Sequence, residues 1–117
     1  MNLDDAIQAH AQWKIKFRGA ISAKDQMDAV KISADNCCPL GIWLHGEAKS
    51  KYSHLNTYKD VVQKHSVFHK EAGKVASAIN AKKYSEATAM LDAGTPYMSA
   101  SLATGVAISV LKKEVDL

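Results

Sequence analysis

The stretch from Asn56 to Ile79, NTYKDVVQKHSVFHKEAGKVASAI, decides how the rest of the chain is read. Within it Tyr58, Val61, Val62, His65, Phe68, His69, Ala72, Val75, Ala76 and Ile79 recur at the three-and-four spacing of one helix face, not at the alternation of a strand. Asn56 or Thr57 offers a side-chain oxygen to cap the first turn. Both histidines fall on the apolar side, one turn apart.

Toward the amino end the same periodicity returns. Leu3, Ile7, His10, Trp13 or Lys14, Phe17 and Ile21 mark one side of a helix from about Asn2 to Lys24, with His10 inside the apolar stripe. The segment from Ala23 to Cys37 is mixed and weakly patterned, and reads as a connector with at most a short helical turn. Pro39 suits a helix start, because the first turn loses nothing when a backbone donor is missing. A short helix is therefore predicted from about Pro39 to Ala48, carrying Leu40, Trp43 and Leu44. Cys38 stands at its amino end, where the helix dipole favours a thiolate.

Toward the carboxyl end, Tyr84, Ala87, Leu91, Tyr97, Thr104, Ile108 and Leu111 continue at helical spacing to about Lys113. Gly94-Thr95-Pro96 interrupts them, and proline in that position predicts a kink or a break into two helices. No segment carries a strand pattern. The expected fold is all-α: an antiparallel four-helix bundle with one short helix and a last helix kinked or broken near Pro96. Residues 1–117 are expected to form a single helical domain, and 117 residues of which 47% are hydrophobic can bury a modest core.

Composition narrows the function classes. The net charge of +3 is mild and the lysines are scattered, so no basic face points to nucleic acid. Ala93 to Leu111 is uncharged and nearly long enough to cross a bilayer, but Gly94, Pro96, Gly105 and several Ser and Thr residues favour a buried helix of small side chains over membrane insertion. Asp4 and Asp5 occupy positions where a secretory signal would carry basic residues. The adjacent Cys37 and Cys38 lack the geometry for an ordinary structural disulfide. These features suggest a reducing, cytoplasmic setting.

The inward histidines carry the chemistry. Two histidines four apart are offset by about 6 Å along a helix axis, so their rings can converge on one ion. That pair alone is weak evidence. His10 strengthens it, because leucine would serve packing better there and a buried imidazole without a partner costs roughly 1 to 3 kcal/mol. Cys38 supplies a fourth donor of a type that zinc prefers. His10, Cys38, His65 and His69 are therefore the candidate ligands of a Zn2+ ion. Three neutral imidazoles and one thiolate would leave a formal charge near +1 and no open position for a substrate, which argues against an enzyme.

Three motifs, in order, resemble the chemoreceptor zinc-binding (CZB) domain family along nearly the whole chain. They are His10-Ala11-Gln12-Trp13, then Cys38-Pro39-Leu40-Gly41-Ile42-Trp43, then His65-Ser66-Val67-Phe68-His69. The resemblance implies that zinc is held by His10, Cys38, His65 and His69 in a helical bundle. It also implies a regulatory unit of bacterial signalling, attached in cis or in trans to a chemoreceptor or to another output module such as a diguanylate cyclase, and paired as a homodimer. The expected function is sensing, with zinc occupancy or oxidation of Cys38 changing helix packing.

Two other readings use the same residues: a zinc-stapled interaction module without sensing, and a hydrolytic centre of three histidines and water with Cys38 off the metal. A di-iron bundle would need carboxylates on the inward stripes of the first and third segments, and none lies there. Cys37 is expected to be a small buried residue, with a resolving thiol for an oxidised Cys38 as the alternative. His45 and His54 sit among polar neighbours and are expected at the surface. Trp13, Trp43 and Phe68 are expected in the core beside the ligands, drying the site.

Overall fold

A computed structural model describes residues 1–116, which form eight helices and no strands. The all-α class is as the periodicity predicts, but the predicted long helices are more divided than expected.

Helix α1 (Leu3–Ala11) starts at Asn2, whose side chain accepts the Asp5 N–H at 3.0 Å, and Asp4 and Asp5 complement the helix dipole in the first turn. Where the periodicity predicts one helix to Lys24, Gln12 separates α1 from α2 (Trp13–Ala23). The backbone bonds from Gln12 to Gln8 and from Lys16 to Gln12 persist, so the interruption is local. It redirects the chain: α1 packs on α8 and α4, whereas α2 packs on α6 and α7. A left-handed Lys24 closes α2, and the Asp25 N–H returns to the Ala20 carbonyl at 3.0 Å.

The connector holds one short helix, α3 (Ala29–Ser33), capped by Asp28. It is pinned to the long helix at two places. The Asn80 side-chain amide exchanges two hydrogen bonds with the Met27 backbone, each 2.8 Å. Farther along, a side chain at Gly73 would place its Cβ 2.5 Å from the Ser33 Cβ, so glycine lets α3 lie close against α6.

The short helix predicted to reach Ala48 stops at His45 as α4 (Pro39–His45), and the chain restarts after Gly46 as α5 (Glu47–Tyr52). Then α6 (Asn56–Asn80) runs for 25 residues through the middle of the molecule. Neither Asn56 nor Thr57 caps it. Leu55 occupies that position without a side-chain bond, and the Thr57 hydroxyl donates instead to Glu114 at 3.0 Å. The interruption near Pro96 is a true break between α7 (Tyr84–Met90) and α8 (Pro96–Val115), where Thr95 caps α8 and Pro96 opens its first turn.

The core lies along α6 in two halves. One half gathers Phe17, Phe68, Val75, Ile79, Leu91 and Tyr97. The other gathers Leu3, Leu40, Leu44, Val61, Ile108 and Leu111. Between Val61 and Phe68 on α6 sits His65, so the imidazoles form a polar layer between two apolar halves. No described helix is long and apolar enough to cross a membrane. The uncharged part of α8, as far as Leu111, is buried on one side only, with Leu102 and Val106 open to solvent, because α1 and α6 cover just its inner face.

Candidate metal centre

Each donor arrives on a different structural footing. His65 and His69 share the inner face of α6 and are 0% and 2% exposed. His10 comes from the last turn of α1 and is 4% exposed. Cys38 is the N-cap of α4, half-buried, and its Sγ accepts the Gly41 N–H at 3.3 Å. The residue after the cap turn must be glycine, because a Cβ on Gly41 would run into the Asp35 carbonyl oxygen and within 3.1 Å of the Asn36 Cα. The loop from Asp35 to Cys37 thus lies directly on α4 and sets where Cys38 points.

Two of the three imidazoles have their tautomers fixed by backbone carbonyls. The Nδ1–H of His10 donates to the Ala6 carbonyl at 2.7 Å, and that of His69 donates to the Ile32 carbonyl on α3, also at 2.7 Å. A carbonyl can only accept, so in both rings Nε2 keeps its lone pair and turns it inward. The Phe68 ring meets His10 and His69 edge-on, with centroids 5.2 and 5.3 Å away, and holds their planes. His65 Nδ1 is buried without a hydrogen-bond partner, so packing alone orients that ring.

The four inward atoms are grouped within 4.8 Å of one another. Cys38 Sγ lies 3.8, 3.3 and 3.6 Å from Nε2 of His10, His65 and His69, and the His65 and His10 Nε2 atoms are 3.1 Å apart. With zinc–nitrogen and zinc–sulfur bonds of about 2.0 and 2.3 Å, a tetrahedron has N···N edges of about 3.3 Å and N···S edges of about 3.6 Å. These four separations are close to those edges, and the remaining two, from His69 Nε2 to the other imidazole nitrogens, lie within 4.8 Å. Without a cation only the His65 Nε2 proton and the Cys38 thiol proton are available to bridge these four acceptors, and a site of three imidazoles and one sulfur suits zinc. No carboxylate belongs to the group among the described residues.

The electrostatics agree. Burial lowers the pKa of all three histidines, and it takes His65 down to about 3 with help from the neighbouring His69 and His10. The rings are therefore neutral at pH 7, as ligation requires. For Cys38 the expected dipole advantage loses to desolvation: burial raises the thiol above its ordinary value, and the Gly41 and Leu40 N–H groups offset this only in part. A cation is what would hold this sulfur as thiolate. The sign for stability follows. Below the ordinary histidine value of about 6.5 the unfolded chain takes up protons that the folded site refuses, so stability present above 6.5 drains away as pH falls toward 3. Thermal melts followed by circular dichroism should show the midpoint steady between about pH 7 and 8 and falling steadily below about 6.5.

A cleft of about 810 Å³ opens onto the site, and His10, Trp13, Met27, Ile32, Cys38 and His69 are among its walls. Cys37 is on the same cleft and exposed, contrary to the expectation of a buried residue, because its side chain turns away from the core toward Asn36 Oδ1 at 3.6 Å. His45 and His54 are exposed as expected, and His45 meets Asp35 at 3.4 Å. Of the three aromatic residues expected beside the ligands, Phe68 touches the rings. Trp13 is half-buried on the cleft and stacks near Phe17, while Trp43 packs with Tyr52 in the other half of the core.

The chemoreceptor zinc-binding domain family matches residues 10–76, a span that starts on the first donor and runs past the last. The chain matches no curated protein and no solved structure.

Proposed function

This chain belongs to the chemoreceptor zinc-binding domain family, a zinc-binding family rather than an enzyme one, and from that premise we propose a sensory and regulatory role in bacterial signal transduction. Its cofactor is Zn2+. In this proposal His10, Cys38, His65 and His69 are the four ligands, and residues 1–117 act as one cytoplasmic domain whose helices form an antiparallel bundle with α4 as its short member. The convergence of three imidazole nitrogens and one sulfur within 4.8 Å, with four of the six separations near tetrahedral edge lengths, carries the reading.

Bound zinc supplies the positive charge that keeps Cys38 a thiolate and the imidazoles together. The rest belongs to the chain. Cys38 both ligates and caps α4, so a change at its sulfur alters the start of that helix. A peroxide reaching it through the cleft would pass one oxygen to the thiolate as its O–O bond breaks and leave as hydroxide, which takes a proton from solvent to become water, so that a neutral sulfenic acid replaces the anionic ligand. His69 connects the site to α3 through the Ile32 carbonyl. On the far side, the Thr104 hydroxyl shares its one proton between the Ala100 carbonyl of its own helix at 2.8 Å and the Lys64 carbonyl at 3.1 Å, one residue before His65, so α8 touches the backbone that carries the site. Zinc loss or Cys38 oxidation thereby acts on α3, α4 and α8 together, and a second copy or an attached output module reads the change.

Elemental analysis of the purified protein should give one zinc per chain, and Cys38→Ser much less. Cobalt exchanged into the wild type should show the intense near-ultraviolet thiolate-to-metal band. A cobalt protein without that band would leave Cys38 off the metal and end this reading.

A further inference from the structure

The sulfur and imidazole groups around the metal centre differ in how far they stand from solvent. Cys37 is exposed, Cys38 is half-buried, and His10, His69 and His65 are 4%, 2% and 0% exposed. Cys37, Cys38, His10 and His69 all lie on the walls of the cleft of about 810 Å³, and His65 does not. The cleft is therefore the approach to the site, and its donors are met in order of depth, with Cys37 outermost and His65 last.

A zinc ion in water or on a carrier keeps its ligands until others replace them one at a time, so the first protein donor must be reachable while the ion is still outside. The inner donors are poor first contacts. Cys38 Sγ is engaged by the Gly41 N–H and by His65 Nε2, each at 3.3 Å, and the histidine Nε2 atoms converge with it in the interior. Cys37 has the opposite placement. Its Sγ is open to solvent on the cleft, 3.6 Å from Asn36 Oδ1. A sulfur and an oxygen bound to one tetrahedral zinc at about 2.3 and 2.1 Å stand about 3.6 Å apart, so this pair has the spacing to hold an ion loosely. One thiolate and one amide oxygen are a weaker set than one thiolate and three imidazoles, which makes the hand-over inward downhill.

We infer that Cys37 is the entry ligand of the metal centre: on the cleft it takes zinc from a carrier in solution and passes it to Cys38, without belonging to the final ligand set. The inference rests on the zinc reading and adds a kinetic role to it. Cys37 points toward Asn36 and away from the core, which keeps it out of the final set. It is also the chain neighbour of Cys38, with Cα atoms about 3.8 Å apart, so the transfer between the two sulfurs is short. Protons balance: Cys37 releases its thiol proton as its bond to zinc forms and takes one back as that bond breaks, while Cys38 gives up its own. The net exchange is zinc for the Cys38 proton, the carrier keeps its ligands, and no oxidation state changes. Removal uses the same steps in reverse, so Cys37 speeds entry and exit by one factor and leaves the affinity unchanged.

Stopped-flow exchange on the full chain tests this, with the zinc complex of pyridylazoresorcinol for loading and EDTA for removal. Cys37→Ser should bind zinc with wild-type stoichiometry and affinity in equilibrium competition, yet load and unload about tenfold more slowly. Cys37→His, which returns a donor to the position, should regain most of the rate. Equal rates in wild type and Cys37→Ser, or a Cys37→His no faster than Cys37→Ser, would overturn the entry role. So would a fall in affinity as large as the fall in loading rate, since Cys37 would then belong to the final set. A wild type that binds no zinc would end the zinc reading and this inference with it, whereas a zinc-loaded wild type no faster than Cys37→Ser ends the entry role alone.

Discussion

Stripping the zinc with a chelator should lower the thermal midpoint by about 10 °C or more without abolishing the helical signal at low temperature. An ion bound only by the folded state adds about 4 kcal/mol at a thousandfold excess over its Kd, and each kcal/mol moves the midpoint of a domain this size by several degrees. The ion would connect α1, α4 and α6, and its removal would leave the His10 and His65 Nε2 atoms, 3.1 Å apart, with at most one proton between them. The apolar halves on either side do not need it, so the helices should persist. Circular dichroism melts with and without chelator read both numbers. Cys38→Ser should start near the chelated midpoint and gain little from added zinc. Equal midpoints with and without chelator would mean that no ion joins the three helices.

Gly41→Ala should weaken zinc binding severely while leaving every donor in place. A methyl group there collides with the Asp35 carbonyl, and both partners are backbone, so neither can simply rotate away. Either the Asp35–Cys37 loop lifts or the start of α4 shifts, and both movements carry Cys38 away from the imidazoles. Overpacking of this kind costs about 1 to 3 kcal/mol in stability. Misplacing the sulfur adds to that a loss in zinc affinity, expected at about 10 to 100-fold by analogy with disrupted supporting contacts around metal sites. Competition with a chromophoric chelator measures it. A variant that keeps wild-type affinity would show the loop to be free to move.

The inward faces of α1, α2 and α6 are legible in the sequence because apolar side chains recur with the helical repeat, and a histidine in such a stripe stands out as costly. His10, His65 and His69 announce themselves in that way, and Pro39 points to Cys38. What stays hidden depends on contacts between distant segments. Thr57 looks like a cap but is engaged by Glu114 across the fold. Gln12 carries no sign of an interruption, since the reason is that α1 and α2 have different partners. The Ile32 and Ala6 carbonyls that set the tautomers are backbone atoms, which no residue type reveals. Cys37 follows from the direction of one loop, and Phe68 rather than Trp43 touches the rings because of the pitch of α6. Gly46, by contrast, is a readable signal for the division between α4 and α5.

The polar layer that splits the core has a mechanical consequence. With apolar blocks at both ends and imidazoles in the middle, the proposed metal centre lies where the two halves of the core meet. Loaded with zinc, that junction is riveted and the domain should melt as one cooperative body. Emptied, the two blocks lose their common fastening, and amide exchange should find them opening independently, each with its own protection. The ion would then do more than raise stability: it would decide whether this small protein behaves as one unit or as two.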